Sequence, residues 1–467
     1  MITKKLIELI VPFIVVLFLM LTPDNAKVFF FSSSVISLYI VKRWTVYIIN
    51  YNEIELASFF STCILSAYVF TAFTTQLNLF FQGYGYAKDY FNYDQFYLSV
   101  ALAIVVISCL FLDILGIAKP TKLNFSKEDI LSDFGDVVIF LVSGFVLVVY
   151  CFFSGLIGLQ GDIFSSGQGN QVSALASIAT FLLPLIGSMC FFIATANYNI
   201  KKIHRIIFFL LSIICVLFLF TQGRRLVMFA GVLYFISYRT SVDRNMISIK
   251  SIITVLCISL FVYFGFKYFF ALRLASYQLV GSSLFELIPK AFDILFNPND
   301  YDFSDQLSKN TLERPFIISY LAKLIELTNV SHYFWGESAL NNFLLSIPSV
   351  LLEQKNFPVD EDLIHPRIGL TAEDMANSML TAGIADFGFV GGIFFPLMGV
   401  FLAGLFIKLI FINAKPWFSF FSWLAFLYLF LSIESSITSY FLIYRNLLIT
   451  MIFVKMFQMV YKPFISK

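Results

Sequence analysis

Twelve apolar runs, each about one helix long, recur along this 467-residue chain, and no other feature constrains its fold as strongly. They lie at 6–21, 27–41, 54–77, 96–118, 137–157, 174–196, 206–221, 226–238, 251–270, 387–411, 417–433 and 439–460. A hydrocarbon core about 30 Å thick is crossed by roughly 20 residues of helix. A helix is also the form that satisfies its own backbone hydrogen bonds in lipid. The runs therefore predict an all-α polytopic membrane protein with about twelve transmembrane helices. Charge agrees, because only 13% of the residues are charged and 59% are hydrophobic, whereas a soluble surface needs about 25% charge. The first run follows Lys4 and Lys5 without a small-residue cleavage site, so it reads as a retained helix and not a signal peptide. The six cysteines fall singly in apolar runs without metal or redox spacing and read as small hydrophobes. No basic tract suited to nucleic acid is present.

Loop charge sets the expected orientation, because short cytoplasmic loops collect Lys and Arg. Alternate connections carry Lys42-Arg43, then Lys119, Lys122 and Lys127, then Lys201, Lys202 and Arg205, then Arg239, Arg244 and Lys250, then Lys408 and Lys415. The C-terminus adds Lys455, Lys462 and Lys467. Both termini are thus expected in the cytoplasm, although Lys42-Arg43 falls on the wrong parity if every early span crosses fully.

The stretch Thr221-Gln222-Gly223-Arg224-Arg225 sets two guanidinium groups between short apolar runs, 206–221 and 226–238. At 1.5 Å per residue these give helices of roughly 24 and 20 Å. If both start at one membrane face, their junction lies below the opposite surface, where an arginine costs at least ~2.5 kcal/mol unless it faces protein or water. The bland alternative is a hairpin turn whose arginines reach the headgroups. The flanking basic loops share one side only if the chain turns around at Gly223, which points the arginine pair outward.

One connection differs in size. More than one hundred residues, 273–386, separate the ninth and tenth runs on that same outer side. This divides the chain into 1–272 with spans one to nine, 273–386 as a large periplasmic loop, and 387–467 with spans ten to twelve. Within the loop, 285–296, 315–327 and 339–352 carry apolar residues at helical spacing and read as a small helical cap lying on the membrane, with Pro315 as a first-turn proline. The segment His365-Pro366-Arg367 reads as extended.

Arg273, Arg314, Arg367 and Arg445 fall on the outer side with Arg224 and Arg225, and guanidinium forks match phosphate oxygens. Such a cavity suits a lipid-linked pyrophosphate whose tail stays in the bilayer. In a glycosyl transfer from that donor the arginines stabilise the departing diphosphate. The acceptor hydroxyl needs a base, and Glu373, His365, Asp374 and Asp386 are the candidates. Glu373 is favoured because it precedes Asn377 by one helical turn, a position that equally suits a helix-end charge contact. No metal-ligand cluster, P-loop or GxSxG motif is present, so no metal or cofactor is expected.

Thr221-Gln222-Gly223-Arg224-Arg225-Leu226 resembles the helix junction of the O-antigen polymerase (Wzy) and O-antigen ligase (WaaL) superfamily. Ala376-Asn377-Ser378-Met379-Leu380, followed by Asp386-Phe387-Gly388-Phe389-Val390-Gly391-Gly392, is similar to the segment that closes their large periplasmic loop. Leu344-Leu345-Ser346-Ile347-Pro348-Ser349-Val350-Leu351, with Lys355 and Pro358, is similar to repeat-unit polymerases in particular. The resemblance implies a GT-C-like, multi-pass protein of the bacterial inner membrane with its active site facing the periplasm. It would transfer a growing glycan en bloc from undecaprenyl pyrophosphate to the non-reducing end of another lipid-linked repeat unit. Its implied partners are that donor and acceptor, membrane lipid, a chain-length regulator and a flippase. Arg224 or Arg225 would hold the diphosphate, with the other arginines helping. Ligases carry a histidine before the asparagine, where this chain has Ala376, which lowers the ligase alternative. A flippase or other transporter is the remaining alternative; transporters usually show internal repeats, midplane charges and short loops, and here Asp113 and Glu434 lie near span ends.

Overall fold

The computed structural model describes residues 8–50, 54–82, 92–118, 121, 125–157, 174–196, 200–222, 224–242, 249–279, 284–297, 317–328, 333–348, 351–352, 357–369 and 377–465. All twelve apolar runs are helical in it. In chain order the helices are α1 (Ile10–Leu21), α2 (Ala26–Ile49), α3 (Leu56–Gln82), α4 (Gln95–Ala118), a short α5 (Lys127–Leu131), α6 (Phe134–Phe153), α7 (Ala174–Thr195), α8 (Lys202–Gln222), α9 (Arg224–Val242) and α10 (Ile249–Gln278). Then follow α11 (Leu284–Phe296), α12 (Ile317–Leu327), α13 (Glu337–Ser346), α14 (Asp360–Arg367), α15 (Met379–Asn413), α16 (Pro416–Leu431) and α17 (Ile437–Ile465). Seven described helices (α3, α4, α6, α7, α8, α15 and α17) contain stretches long and apolar enough to cross a bilayer, and three shorter apolar helices accompany them. The chain is a multi-pass helical membrane protein.

Helix ends depart from the apolar runs, because amphipathic residues continue a helix past its hydrophobic part. Helix α8 takes in Lys202, His204 and Arg205 and is 21 residues long. That is roughly 31 Å, enough to span, so the expected shortfall before the arginine junction is absent on this side. Helix α10 continues to Gln278, which puts the expected boundary at 272/273 inside a helix. Helix α2 runs through Lys42-Arg43 to Ile49, so these residues are not a connection at all. Their wrong parity disappears: Lys42 pairs with Glu8 at 2.8 Å, and Arg43 turns inward to a carboxylate on α4.

The chain forms two compact units. The first comprises Met1–Asn124, Thr311–Leu409 and Leu429–Arg445. Its helix α1 packs on α2 and α4, and the Ser99 hydroxyl donates to the Pro23 carbonyl at 2.7 Å. The guanidinium of Arg43 grips Asp113 with both nitrogens, at 2.9 and 2.7 Å, and also donates to the Ser58 carbonyl and the Ser61 hydroxyl. Glu55, likewise buried, accepts from the Ala57 and Ser58 amides and so caps α3. Helix α12 packs on α3 and α4 with Ile317 through Ala322 all buried. Its first six residues are thus inserted among α3 and α4, while the Lys323–Glu326 pair keeps the other end partly exposed, where a cap lying on the membrane was expected; the proposed first-turn Pro315 lies outside the described residues.

Helix α15 is broken. Phe387 (φ −140°, ψ 20°) and Gly388 (φ 59°, ψ −144°) leave helical geometry, and the chain reverses there. Gly388 occupies the left-handed region that favours glycine, and a Cβ there would fall on the Tyr333 hydroxyl. The two-turn arm 379–386 folds back along the long arm: Gly383 and Gly391 meet backbone to backbone, and Met379 reaches Gly399. Ser378 and Thr381 start the short arm with reciprocal side chain to amide bonds of 2.7 and 3.2 Å, a capping box. The expected division at 386/387 thus falls at the reversal, within one hairpin.

The second unit comprises Phe125–Asn310, Ile410–Tyr428 and Asn446–Lys467. Helices α8 and α9 form an antiparallel hairpin about Gly223, since the Tyr234 hydroxyl donates to the Ser212 carbonyl at 2.9 Å and both residues are equally far from Gly223 in sequence. Both helices pack on α7. Leu287, Ala291 and Ile294 of the amphipathic α11 close on Phe270, Leu272 and Ala275 of α10, as the apolar spacing of 285–296 predicts. Lys415 bridges Asp133 and Asp136 at 2.6 and 2.7 Å.

The Arg43–Asp113 pair is nearly sealed, with side chains 11% and 7% exposed. Replacing Arg43 by leucine leaves a buried carboxylate uncompensated and is expected to cost about 3–5 kcal/mol. The double variant Arg43→Leu/Asp113→Leu should recover most of that. Thermal unfolding of the detergent-solubilised protein measures both.

Candidate functional site

The segment expected to carry the chemistry lies in the first unit. Its acidic start, Asp360-Glu361-Asp362, and its basic end, His365 and Arg367, match a helix dipole, so α14 forms where an extended stretch was expected. Pro366 is accommodated within the last turn of this helix. His365 is 4% exposed, and its Nε2 lies 2.9 Å from the Tyr320 hydroxyl of α12. Tyr320 in turn donates to Asn377 Oδ1 at 3.3 Å. The ring's tautomer decides which of His365 Nε2 and the Tyr320 hydroxyl is the donor. The next residue, Ser378, pairs with the Tyr68 hydroxyl of α3 at 2.7 Å.

This string joins the loop to mid-helix positions of two candidate spans. Tyr68 is roughly 18 Å along α3 from Leu56, and Gly399, which Met379 touches, is roughly 21 Å along α15 from Asn413, against a hydrocarbon core of about 30 Å. Loop-derived polar groups thus reach helix positions well inside two candidate spans. Intramembrane polar residues are costly and by default functional.

A second buried cluster adjoins α13. Asp386 accepts from the Ser338 and Ala339 amides at 3.1 and 3.2 Å and so caps the N-terminus of that helix from the short arm of α15. The Phe334 and Trp335 amides donate to the carbonyls of Ala385 and Asp386, at 3.2 and 3.0 Å. Asp386, one of the expected candidate bases, thus caps α13. Asp360 Oδ1 accepts from the Ser338 hydroxyl at 3.1 Å and from the Asn342 amide, while Thr438 donates to Asn342 Oδ1. Burial pushes the Asp360 carboxyl up from 3.8, and the bonds from Asn342 and Ser338 offset part of that.

The other expected residues fall as follows. Glu373, Asp374 and Arg314 lie outside the described residues. Arg445 donates to the Ser346 carbonyl at 2.9 Å, and Arg367 pairs with Glu337 at 3.3 Å and lies over the Phe334 ring. These two share the first unit with His365 and Asp386. Arg273 belongs to the second unit and donates to the Tyr277 hydroxyl at 2.6 Å. Arg224 and Arg225 open α9 in that same unit. Two cations at a helix start oppose the dipole there, so helix stability does not explain them, and helix starts favour anions. Tyr320, Ser338, Asn342 and Asp360 were not singled out from sequence; the readable signal was Asn341-Asn342 at positions facing inward in an apolar helix, because buried amides need partners. Among the described residues no group of three His, Cys, Asp or Glu side chains is arranged to hold a metal ion. Comparison with protein-family models, curated proteins and solved structures yields no match.

Because the folded pKa of Asp360 is raised, its contribution to stability is full below 3.8 and is lost as pH rises through the folded value. Asp360→Asn keeps an acceptor for Ser338 and Asn342 without the ionisation. Its melting temperature should therefore exceed that of wild type by a margin that widens from acid to neutral pH, read by thermal unfolding across pH.

Proposed function

We propose that this protein is a polymerase of lipid-linked oligosaccharides in the bacterial inner membrane, acting on its periplasmic side. The observation that carries this reading is the His365–Tyr320–Asn377 string, which ties a titratable group on a loop-derived helix to the start of the span-forming α15. A substrate whose reactive sugar is tied to a membrane anchor through a diphosphate needs a reactive group held beside the spans in this way. The acceptor sugar hydroxyl attacks the anomeric carbon of the donor, the bond from that carbon to the diphosphate oxygen breaks, and the His365 imidazole takes the hydroxyl proton. The resemblance, by itself, would give Arg224 or Arg225 the diphosphate of the undecaprenyl carrier as ligand. The resemblance at Asn377-Ser378-Met379-Leu380 and at the Gly223 junction supports the same reading. A chain-length regulator and a flippase would act with it.

A transporter of the same lipid-linked glycan is the second reading, favoured by the Arg43–Asp113 pair within the helices.

Purified protein with a synthetic polyprenyl-pyrophosphate repeat unit in EDTA should give a ladder of polymer lengths. Arg224→Ala and Arg225→Ala should each slow it about 10²–10³-fold, and His365→Ala about 10²–10⁴-fold, with thermal unfolding measured on each variant to separate lost chemistry from loss of the buried His365–Tyr320 bond. Movement of the lipid across liposomes without any ladder would support the transporter.

A further inference from the structure

Trp335 is the exposed exception among the tryptophans: it is 66% exposed, whereas Trp417 and Trp423 are buried and Trp44 is half-buried with its indole N–H donating to Ser66. Its backbone has φ 53°, the left-handed region where a bulky side chain is an outlier. The next residue, Gly336, is also left-handed, and the turn is pinned by the Trp335 amide on the Asp386 carbonyl and by the Glu337 amide on the Phe334 carbonyl. The fold therefore holds an indole outward in a conformation that glycine would adopt without strain. Strain of this kind at an exposed aromatic points to a ligand.

The neighbours define its chemistry. Tyr333 and Phe387 meet the indole edge to face, with ring planes at 73° and 77°, so neither stacks on it. Its sequence neighbours engage one guanidinium: Arg367 lies over the Phe334 ring at 4.0 Å and pairs with Glu337 at 3.3 Å, both charged groups remaining almost half exposed. An exposed indole on the same turn as a fork of donors and a carboxylate offers the kinds of group a pyranose ring takes, with one face of C–H bonds and a rim of hydroxyls. A tryptophan serving only as a lipid-interface contact has no use for that ion pair.

We propose that Trp335, Arg367 and Glu337 form a saccharide subsite that takes a sugar ring of the acceptor glycan, an inference that rests on the glycosyl-transfer reading for the identity of its ligand. The test uses the full-length protein in nanodiscs and the glycan freed by mild acid from the host's own polyprenyl-diphosphate repeat units. Tryptophan emission should shift on titration with that glycan, and the shift should vanish in Trp335→Phe. By calorimetry Trp335→Ala and Arg367→Gln should each bind the glycan about tenfold more weakly. In the ladder assay Trp335→Ala should raise KM for the acceptor about tenfold while kcat stays within about twofold. No emission shift and unchanged kinetics in Trp335→Ala, alongside a normal wild-type ladder, would overturn the subsite and leave the polymerase reading standing. Quenching of Trp335 by brominated lipid with no response to glycan would overturn it in favour of an interfacial role. Glycan binding that depends on Trp335 in a protein that makes no ladder would keep the subsite and refute the polymerase.

Discussion

The first unit depends on one close contact: the backbone of Gly383 against that of Gly391. Any side chain at either position would hold the two arms of α15 apart. With the contact made, the short arm lies fully buried and carries two groups that organise the rest. At one end Ser378 and Asn377 meet Tyr68 and Tyr320, which ties α3 and α12 together. At the other end Asp386 caps α13 and the adjoining carbonyls receive the amides of Phe334 and Trp335. Hydrogen bonds between the loop and the helices gather on the ten residues from Asn377 to Asp386, with Arg445 on the Ser346 carbonyl and Thr438 on Asn342 as further ties.

Much of the helical architecture was legible because lipid leaves a chain few options. Twelve apolar runs became helices, and the amphipathic runs at 285–296, 315–327 and 339–352 each correspond to a helix of the loop. What was not legible was where amphipathic ends stop. Lys202 and Arg205 continue α8, and Arg43 turns inward only because Asp113, seventy residues away, is there to receive it. Hydropathy counts charges and does not see their partners. The reversal at Gly388 was marked only as a boundary at 386/387; that Met379–Asp386 folds back as a helix along the tenth run depends on the close meeting of Gly383 and Gly391.

The candidate site divides along the same line. His365 was visible as a rare residue in a polar stretch, and it does meet a residue of the loop-closing motif, but through Tyr320, which apolar spacing had assigned to a surface helix. Asp386 was visible for its motif, and its role as a helix cap depends on Ser338 and Ala339, remote in sequence. Trp335 drew no notice because its exposure and backbone conformation are tertiary facts.

The short arm of α15 also bears on how such a chain is built. Eight residues of helix, about 12 Å, cannot cross a bilayer and, as described, are surrounded by protein on every side. During synthesis the insertion machinery has only the long arm to recognise as a span. The short arm takes its place once α3 and α4 are already side by side, bringing Asn377 and His365 with it. Assembly of the polar string therefore waits on the short arm, and a chain that stops short of it would be inserted and multi-pass yet lack the Tyr68–Ser378 and Tyr320–Asn377 bonds.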